Sequence, residues 1–166
     1  MSQLDKTLAG NDDKIKYMVD PSFNLSKLEK ESVDIVVSQA AFEHFSNIEQ
    51  TIKKLTPIIK KGGTLIAEID LMTHTGAIRS GDPLNIYRYS NFFYKLVNFK
   101  GIPNRKRPID YKQAFEHNGW TNIQITPLQE LSEDYVKSIT PQLAKHFRRE
   151  NSDMHMLTIM LCATRS

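Results

Sequence analysis

Two apolar stretches separated by a helix-length segment constrain the fold of this chain more than any other feature. Residues 32–39 read SVDIVVSQ, and residues 64–71 read TLIAEIDL. Such short, near-continuous apolar runs are typical of parallel strands that are covered on both faces. The segment between them has isoleucine and leucine at helical spacing. Strand, helix and strand in this order predict a right-handed βαβ unit and an α/β fold.

The helix inside this unit has recognisable start and stop signals. Ser46 with Glu49 three residues later fits a capping box. The pair Gly62-Gly63 can supply a left-handed stop. Pro57 lies inside the pattern, where it predicts a kink or a tightened last turn. We therefore expect the helix to begin after Ser46 and to end at the glycine pair.

The rest of the chain predicts further elements around one irregular segment. We expect strands over 15–20, 121–128 and 154–165, and helices over 90–99, 109–119 and 132–150, the last with a break at Pro141. Residues 72–108 mix aromatic and polar residues without a sustained pattern. A connection of this length between core elements is unusual and often functional.

Composition narrows the class of protein. A chain of 166 residues, 40% hydrophobic and 25% charged, is typical of one soluble globular domain. Its net charge of +3 is too small and dispersed to predict a nucleic-acid partner. The single cysteine, Cys162, lies in an apolar run and predicts a buried thiol in a reducing compartment. The sequence has no signal peptide and no membrane-length apolar run, so we expect a cytoplasmic protein.

Four motifs in this order resemble class I S-adenosylmethionine-dependent methyltransferases of the type 11/12 kind. They are Val33-Asp34-Ile35-Val36, Glu43-His44, Lys60-Lys61-Gly62-Gly63 and Gly119-Trp120. In that family these motifs mark the fourth strand, the turn after it, the start of the fifth strand and the start of the sixth. Residues 14–165 are similar to the C-terminal two-thirds of such a domain. The resemblance implies an incomplete Rossmann-like, mostly parallel sheet with an antiparallel C-terminal strand and helices on both faces.

The same resemblance implies a methyltransferase function and shows that one part of the cofactor site is missing from the sequence. It implies one truncated methyltransferase-like domain over 1–166, with S-adenosylmethionine as cofactor and a small-molecule or glycan acceptor bound near residues 72–108. Relatives hold the cofactor on a glycine-rich turn, but here only Gly10 precedes Gly62. We therefore expect no methyl transfer and no cofactor binding by this chain alone. The alternative is a non-catalytic methyltransferase-like module used for assembly.

The absence of the family's first two strands from this sequence has a consequence for the sheet. The usual strand order of the family is 3-2-1-4-5-7-6, so the absent strands belong between residues 15–20 and 32–39. Without them, an apolar strand built for the middle of a sheet becomes an edge. Two hypotheses follow: residues 15–20 pair directly with this strand, or two copies of the chain pair as a homodimer.

Cofactor-side residues are expected at the end of the fourth strand. Ser38, Gln39 and Ala40 end that strand, where open α/β sheets bind their ligands. The resemblance places this turn, with His44, against the cofactor. It also places Asp20 where relatives contact the adenine amino group. The alternative for Asp20 is that it simply starts a turn before a proline.

The Glu43-His44 pair also invites a metal-site interpretation. The two residues lack the helical i, i+4 spacing of metal-binding motifs, and no third ligand lies near them in the sequence. We therefore predict no metal site. As structural residues, they can satisfy backbone groups of the strand-to-helix turn.

Residues after the fifth strand are the candidates for chemistry. In the implied fold, Asp70 and His74 lie on the acceptor side, and a histidine with a pKa near working pH can act as general base. The alternative is an exposed loop histidine without a role. Substrate contacts are predicted at Tyr87, Arg88 and Tyr89. Arginines of this region, namely Arg88, Arg105 and Arg107, can bind a phosphate or carboxylate or can pair locally.

Overall fold

A four-stranded mixed sheet organises the part of the chain that the structure describes. The computed structural model describes residues 17–20, 23–97 and 101–166. Its strands are β1 Val33–Gln39, β2 Ile59–Asp70, β3 Trp120–Glu130 and β4 Met156–Arg165. Their order is β1-β2-β4-β3, with β1 parallel to β2 and with β4 antiparallel to both of its neighbours. This order matches strands 4-5-7-6 of the family, so the predicted α/β Rossmann-like fold with an antiparallel C-terminal strand is confirmed.

Short helices connect the strands. They are α1 Ile48–Leu55, α2 Gly76–Arg79, α3 Asn91–Leu96, α4 Pro108–His117 and α5 Glu133–Ile139. Turns of 3₁₀-helix occur at Leu25–Lys27, Phe42–His44, Thr56–Ile58, Asn85–Arg88, Thr140–Gln142, Lys145–Phe147 and Glu150–Ser152. Among the described residues, no helix has the length and apolar character needed to cross a bilayer.

The main core lies between one face of the sheet and helices α1 and α4. From Leu65 to Ile69 in β2 and from Ile159 to Ala163 in β4, every second residue points into it and is buried. Full burial of each large apolar side chain contributes about 1.5–3 kcal/mol. Trp120 closes one end, where its indole Nε1 donates a hydrogen bond of 2.8 Å to Thr56 Oγ1. The buried members include Ile48, Ile52, Leu55, Leu65, Ile69, Tyr111, Phe115, Ile159 and Leu161.

A second core lies beyond the carboxyl end of β2. It joins the 72–108 segment to the chain between α5 and β4, so much of that segment is packed rather than loop-like. Its buried members are Met72, Leu84, Ile86, Tyr87, Tyr94, Ile139, Leu143, Phe147, Met154 and Leu157.

Helix α1 is shorter than predicted at both ends. Its N-cap is Asn47 rather than Ser46, because Asn47 Oδ1 accepts a 3.0 Å hydrogen bond from the Gln50 amide. The helix ends at Leu55, and the following turn, with Pro57, is the tightened turn that the proline predicts.

The glycine pair belongs to β2 and does not end the helix. Val33 pairs with Ile59 but Ile35 pairs with Thr64, so β2 bulges between these two points. Gly62 has a φ of +77° there, and a Cβ added to Gly63 would lie 2.7 Å from Ile59 Cγ2. The two glycines therefore form a β-bulge, a feature that favours glycine for reasons similar to those at a helix end.

Three further predictions are wrong in part. Residues 17–20 are not a strand, so within the described chain nothing from 15–20 pairs with β1; residues 15 and 16 lie outside it. The predicted helix over 132–150 ends at Ile139, since Pro141 starts a 3₁₀ turn. The predicted helix over 90–99 spans only Asn91–Leu96, and residues 98 and 99 lie outside the described chain.

Strand β1 forms an edge of the described sheet and has an exposed apolar face. Ile35 is 61% exposed and Val37 is 75% exposed. The prediction that this strand is covered on both faces is therefore wrong, while its predicted position at an edge is confirmed. An exposed apolar edge strand is a site where another strand or chain can pair.

Candidate active site

The carboxyl ends of β1 and β2 lie side by side and place the candidate residues. Ala40, immediately after β1, donates a backbone hydrogen bond of 3.0 Å to the Glu68 carbonyl of β2. Ala40 has a φ of 46°, in the left-handed region, which turns the chain out of the strand. Ser38 and Gln39 precede this turn, and the 3₁₀ turn Phe42–His44 follows it. The predicted cofactor-side turn therefore lies at the edge of the sheet where α/β proteins bind ligands.

Two histidines that follow neighbouring strands, β1 and β2, meet at this edge. The rings of His44 and His74 stack with their centroids 5.0 Å apart and their planes at 26°. Asp70, the last residue of β2, lies beside them, with its Oδ2 atom 3.3 Å from His74 Nε2. Three of the predicted residues, Asp70, His74 and His44, are thus neighbours in the folded chain.

The Asp70 carboxylate is held in one position. Its Oδ1 accepts a 2.9 Å hydrogen bond from the Met72 amide, and its Oδ2 accepts one of 2.6 Å from Arg79 Nη1. Burial lowers the pKa of His74, and His44 and Arg79 act in the same direction, while Asp70 opposes them. His74 is therefore neutral at pH 7 and has a lone pair that can accept a proton.

Glu43 is the most unusual residue of the site. Its side chain is only 1% exposed, and neither carboxylate oxygen has a hydrogen-bond partner of normal geometry within the described chain. Burial raises the pKa of Glu43, and nearby backbone groups and His44 offset this only in part. The possible ligand atoms of Glu43, His44 and His74 all lie within 4.8 Å of one another.

Asn104, which sequence reasoning missed, holds the Glu43-His44 turn in place. Its backbone amide donates a 2.7 Å hydrogen bond to the Glu43 carbonyl. Its side-chain amide donates to the carbonyls of Phe42 and Phe45 at 2.9 and 3.0 Å. A single asparagine in a polar loop carries no sequence signal for such a role, because its partners are more than 50 residues away in the chain.

A cavity of about 730 Å³ opens beside His44, and its wall is rich in cationic side chains. Arg105 lines it, and its guanidinium carbon lies 3.8 Å from the centre of the Tyr94 ring, a cation–π contact. Lys106 lies 3.7 Å from Asp110, whereas Lys95 forms no ion pair with any described residue. The cationic and imidazole residues that line the cavity are His44, Lys95, Arg105, Lys106 and His146.

Comparison with known proteins agrees with this fold. Residues 1–67 match the family model described as "Methyltransferase domain". Over this part of its length the chain is similar to class I S-adenosylmethionine-dependent methyltransferases. No curated protein sequence matches it.

Solved methyltransferase structures share the fold. Phosphoethanolamine N-methyltransferase 2 of Haemonchus contortus, in complex with S-adenosyl-L-methionine, is 12% identical with a TM-score of 0.58, over 98% of this chain and 40% of its own. The Haloferax volcanii putative methyltransferase in complex with the Trm112 methyltransferase activator is 17% identical with a TM-score of 0.56, over 95% and 65%. A putative S-adenosylmethionine-dependent methyltransferase of Listeria monocytogenes is 16% identical with a TM-score of 0.53, over 96% and 75%.

At these identities the similarity shows the fold alone. The chain spans 40% of the length of the first of these structures and 65% of the second.

Other predicted site residues lie away from the cluster of Asp70, His74 and His44. Tyr87 is 1% exposed inside the second core, where its hydroxyl donates a 2.6 Å hydrogen bond to the Leu71 carbonyl. It does not line this cavity, and its substrate contact stays a prediction. Arg88 pairs with Asp82 at 2.7 Å, and Tyr89 stacks on Phe93 with ring centres 5.7 Å apart. Arg88 and Tyr89 thus have their partners, Asp82 and Phe93, within the 72–108 segment.

Two predicted contacts have structural partners instead. Asp20 lies 3.7 Å from Lys27 in an ion pair, and its backbone carbonyl accepts a hydrogen bond from Phe23. Arg107 is 2% exposed and donates to the carbonyls of Ser152 and Met156 at 3.0 and 2.8 Å. Arg107 is therefore a core residue of the methyltransferase fold and does not bind a substrate anion.

Proposed function

We propose that this chain forms the acceptor side of an S-adenosylmethionine-dependent methyltransferase whose acceptor is a small molecule or glycan carrying an anionic group. The observation that supports this is the cavity beside His44. Lys95, Arg105 and Lys106 give its wall a positive character that suits a phosphate or carboxylate. One solved structure with the same fold is a phosphoethanolamine N-methyltransferase.

His74 and Asp70 are the proposed acid–base pair. Asp70, itself held by Met72 and Arg79, orients the imidazole, and neutral His74 accepts the proton that the acceptor loses as it is methylated. The role of the cationic wall is to place the acceptor, since methyl transfer depends mainly on alignment.

The turn after β1 fits one wall of a cofactor site. Ser38, Gln39 and Ala40, with His44, lie at the edge of the sheet where the resemblance places the cofactor. S-adenosylmethionine supplies an electrophilic methyl group when bound. The glycine-rich turn that holds it in relatives has no counterpart between Gly10 and Gly62. We therefore propose that these 166 residues alone do not transfer methyl groups.

A second candidate function is a non-catalytic assembly module. The exposed face of β1, with Ile35 and Val37, supports it, because an apolar edge strand can pair with a partner chain. The same face supports homodimer formation through β1.

Two titrations test the proposed function. Calorimetric titration of the chain with S-adenosylhomocysteine should show no saturable binding, and micromolar binding would overturn the proposed inactivity. Titration with inorganic phosphate, followed by amide NMR shifts, should show saturable shifts around the cavity that Lys95→Gln weakens. Lys61→Gln, which removes an exposed lysine of the β2 bulge, is the matched control. An equal response in wild type and Lys95→Gln would refute the anionic-acceptor assignment.

A further inference from the structure

Glu43, His44 and His74 form a cluster of three metal-ligand side chains that the proposed methyl-transfer chemistry leaves partly unexplained. We propose that these three residues bind a divalent first-row transition-metal ion, with Zn²⁺ as the ion that best fits the site. The residues come from two neighbouring strand ends, so the cluster exists only in the folded chain.

The geometry needs only small movements to bind an ion. Three atoms that all lie within 4.8 Å of one another have a common point within about 2.8 Å of each. Zinc bonds to histidine nitrogen and carboxylate oxygen are about 2.0–2.2 Å long. Each ligand atom therefore has to move by less than about 1 Å, within reach of side-chain rotation.

The unpartnered carboxylate of Glu43 is the second observation that points to a cation. A buried polar group without a partner costs about 1–3 kcal/mol, and a charged one costs more. Both oxygens of Glu43 are in this state within the described chain. The Asn104 hydrogen bonds hold the backbone of the same turn and so keep the carboxylate at the histidines. A bound cation would supply the missing partner for both oxygens.

The donor set selects the class of ion. Two imidazoles and one carboxylate favour zinc and other first-row transition metals over Mg²⁺ and Ca²⁺, which prefer oxygen ligands. Metal-binding histidines commonly donate their second ring N–H to a carboxylate, and Asp70 lies 3.3 Å from His74 Nε2 in such a position. His44 also lines the cavity, so the remaining coordination positions can face solvent or an acceptor.

This inference does not rest on methyl transfer. An ion bound by His74 occupies the lone pair that a general base would use, so metal loading and the proposed base role of His74 exclude each other. Zinc binding is therefore measured on the chain itself, with no methyl-transfer assay.

The experiment is equilibrium dialysis of the chelator-treated 166-residue chain against Zn²⁺, with Co²⁺ absorption as a check on the ligands. Wild type should bind one equivalent. Glu43→Gln and His74→Ala should each lower the zinc affinity at least about 10-fold. Loss of a residue that only supports a metal ligand already costs about that much, and these two residues are proposed as ligands themselves. The matched controls are Glu49→Gln and His117→Ala, which break another carboxylate–histidine pair, 3.7 Å apart on the surface. Both controls should bind as wild type does.

Two outcomes would overturn the proposal: no stoichiometric binding by wild type, or equal affinity in wild type and Glu43→Gln. The second result would mean that a surface histidine pair binds the ion without the buried carboxylate. Thermal unfolding separates binding from folding. Zinc should raise the melting temperature of wild type more than that of Glu43→Gln, a variant that keeps the shape of the side chain.

Discussion

Arg107 provides the sharpest test of which polar residues support the fold and which serve a ligand. Its guanidinium donates to the carbonyls of Ser152 and Met156, to the Asp153 carbonyl and, at 3.2 Å, to the Tyr87 hydroxyl. No carboxylate lies within ion-pair distance of it in the described chain. The charge is therefore held almost entirely by backbone dipoles at 2% exposure.

Arg107→Lys keeps the charge and removes the planar fork. One ammonium nitrogen cannot reach acceptors that the guanidinium contacts from three different nitrogens. At least two hydrogen bonds to a charged group are lost, each worth about 1.5–3 kcal/mol, and buried carbonyls are left without a donor. We expect the free energy of unfolding to fall by about 3–5 kcal/mol, a large share of the roughly 5–15 kcal/mol of a typical domain.

Urea denaturation followed by far-ultraviolet circular dichroism measures this loss. The melting temperature should fall by about 2–4 °C for each kcal/mol in a chain of this size. Arg148→Lys is the control, because Arg148 is exposed and makes a single hydrogen bond to the Leu143 carbonyl. If Arg107→Lys unfolds within about 0.5 kcal/mol of wild type, as typical surface substitutions do, the structural role assigned to Arg107 is wrong.

Three further outcomes are expected. Because burial raises the pKa of Glu43 above its ordinary value of 4.5, the free energy of unfolding of wild type should fall as pH rises above about 4.5. Glu43→Gln should flatten this part of a profile of melting temperature against pH, and parallel profiles for the two proteins would contradict the burial argument. Gly63→Ala should destabilise the chain by at least about 1 kcal/mol, since the added Cβ would meet Ile59 and backbone carbonyls. Gly76→Ala is the control and should not destabilise the chain, because a Cβ there has open space around it; urea unfolding of both variants measures the difference. Val37→Lys should reduce any homodimer seen by light scattering, and an unchanged mass would argue against pairing through β1.

The strands were predictable because their signal is local. The β-branched run of β1 and the alternation of β3 depend on neighbouring residues only, and the structure places both within three residues of the predicted bounds. The Lys60–Gly63 segment was misassigned because a helix end and a β-bulge both favour glycine. Only the pairing register, which involves another strand, separates these two interpretations.

The site was predictable in its position and less so in its members. Residues at the carboxyl ends of parallel strands meet by the geometry of the sheet, and this rule brings Asp70, His74 and His44 together. The burial of Tyr87 was not predicted because it depends on the chain near Phe147, whose ring packs edge-on against Tyr87 with the ring centres 4.8 Å apart. Sequence reasoning could not place such a contact between segments that are distant in the chain.

The β1–β2 register explains why the third metal-ligand candidate was invisible in the sequence. Gln39, the last residue of β1, pairs with Glu68, and β2 ends two residues later at Asp70, so the chain leaves both strands at the same edge of the sheet. His44 and His74 lie five and six residues beyond that pair, and their rings therefore stack although they are far apart in sequence. Sequence spacing pairs Glu43 with His44 and, separately, Asp70 with His74, whereas the parallel register brings His74 to the first pair. In α/β chains, candidate ligands on neighbouring strands are therefore best compared by the number of residues that separate each of them from the last paired residue of its strand.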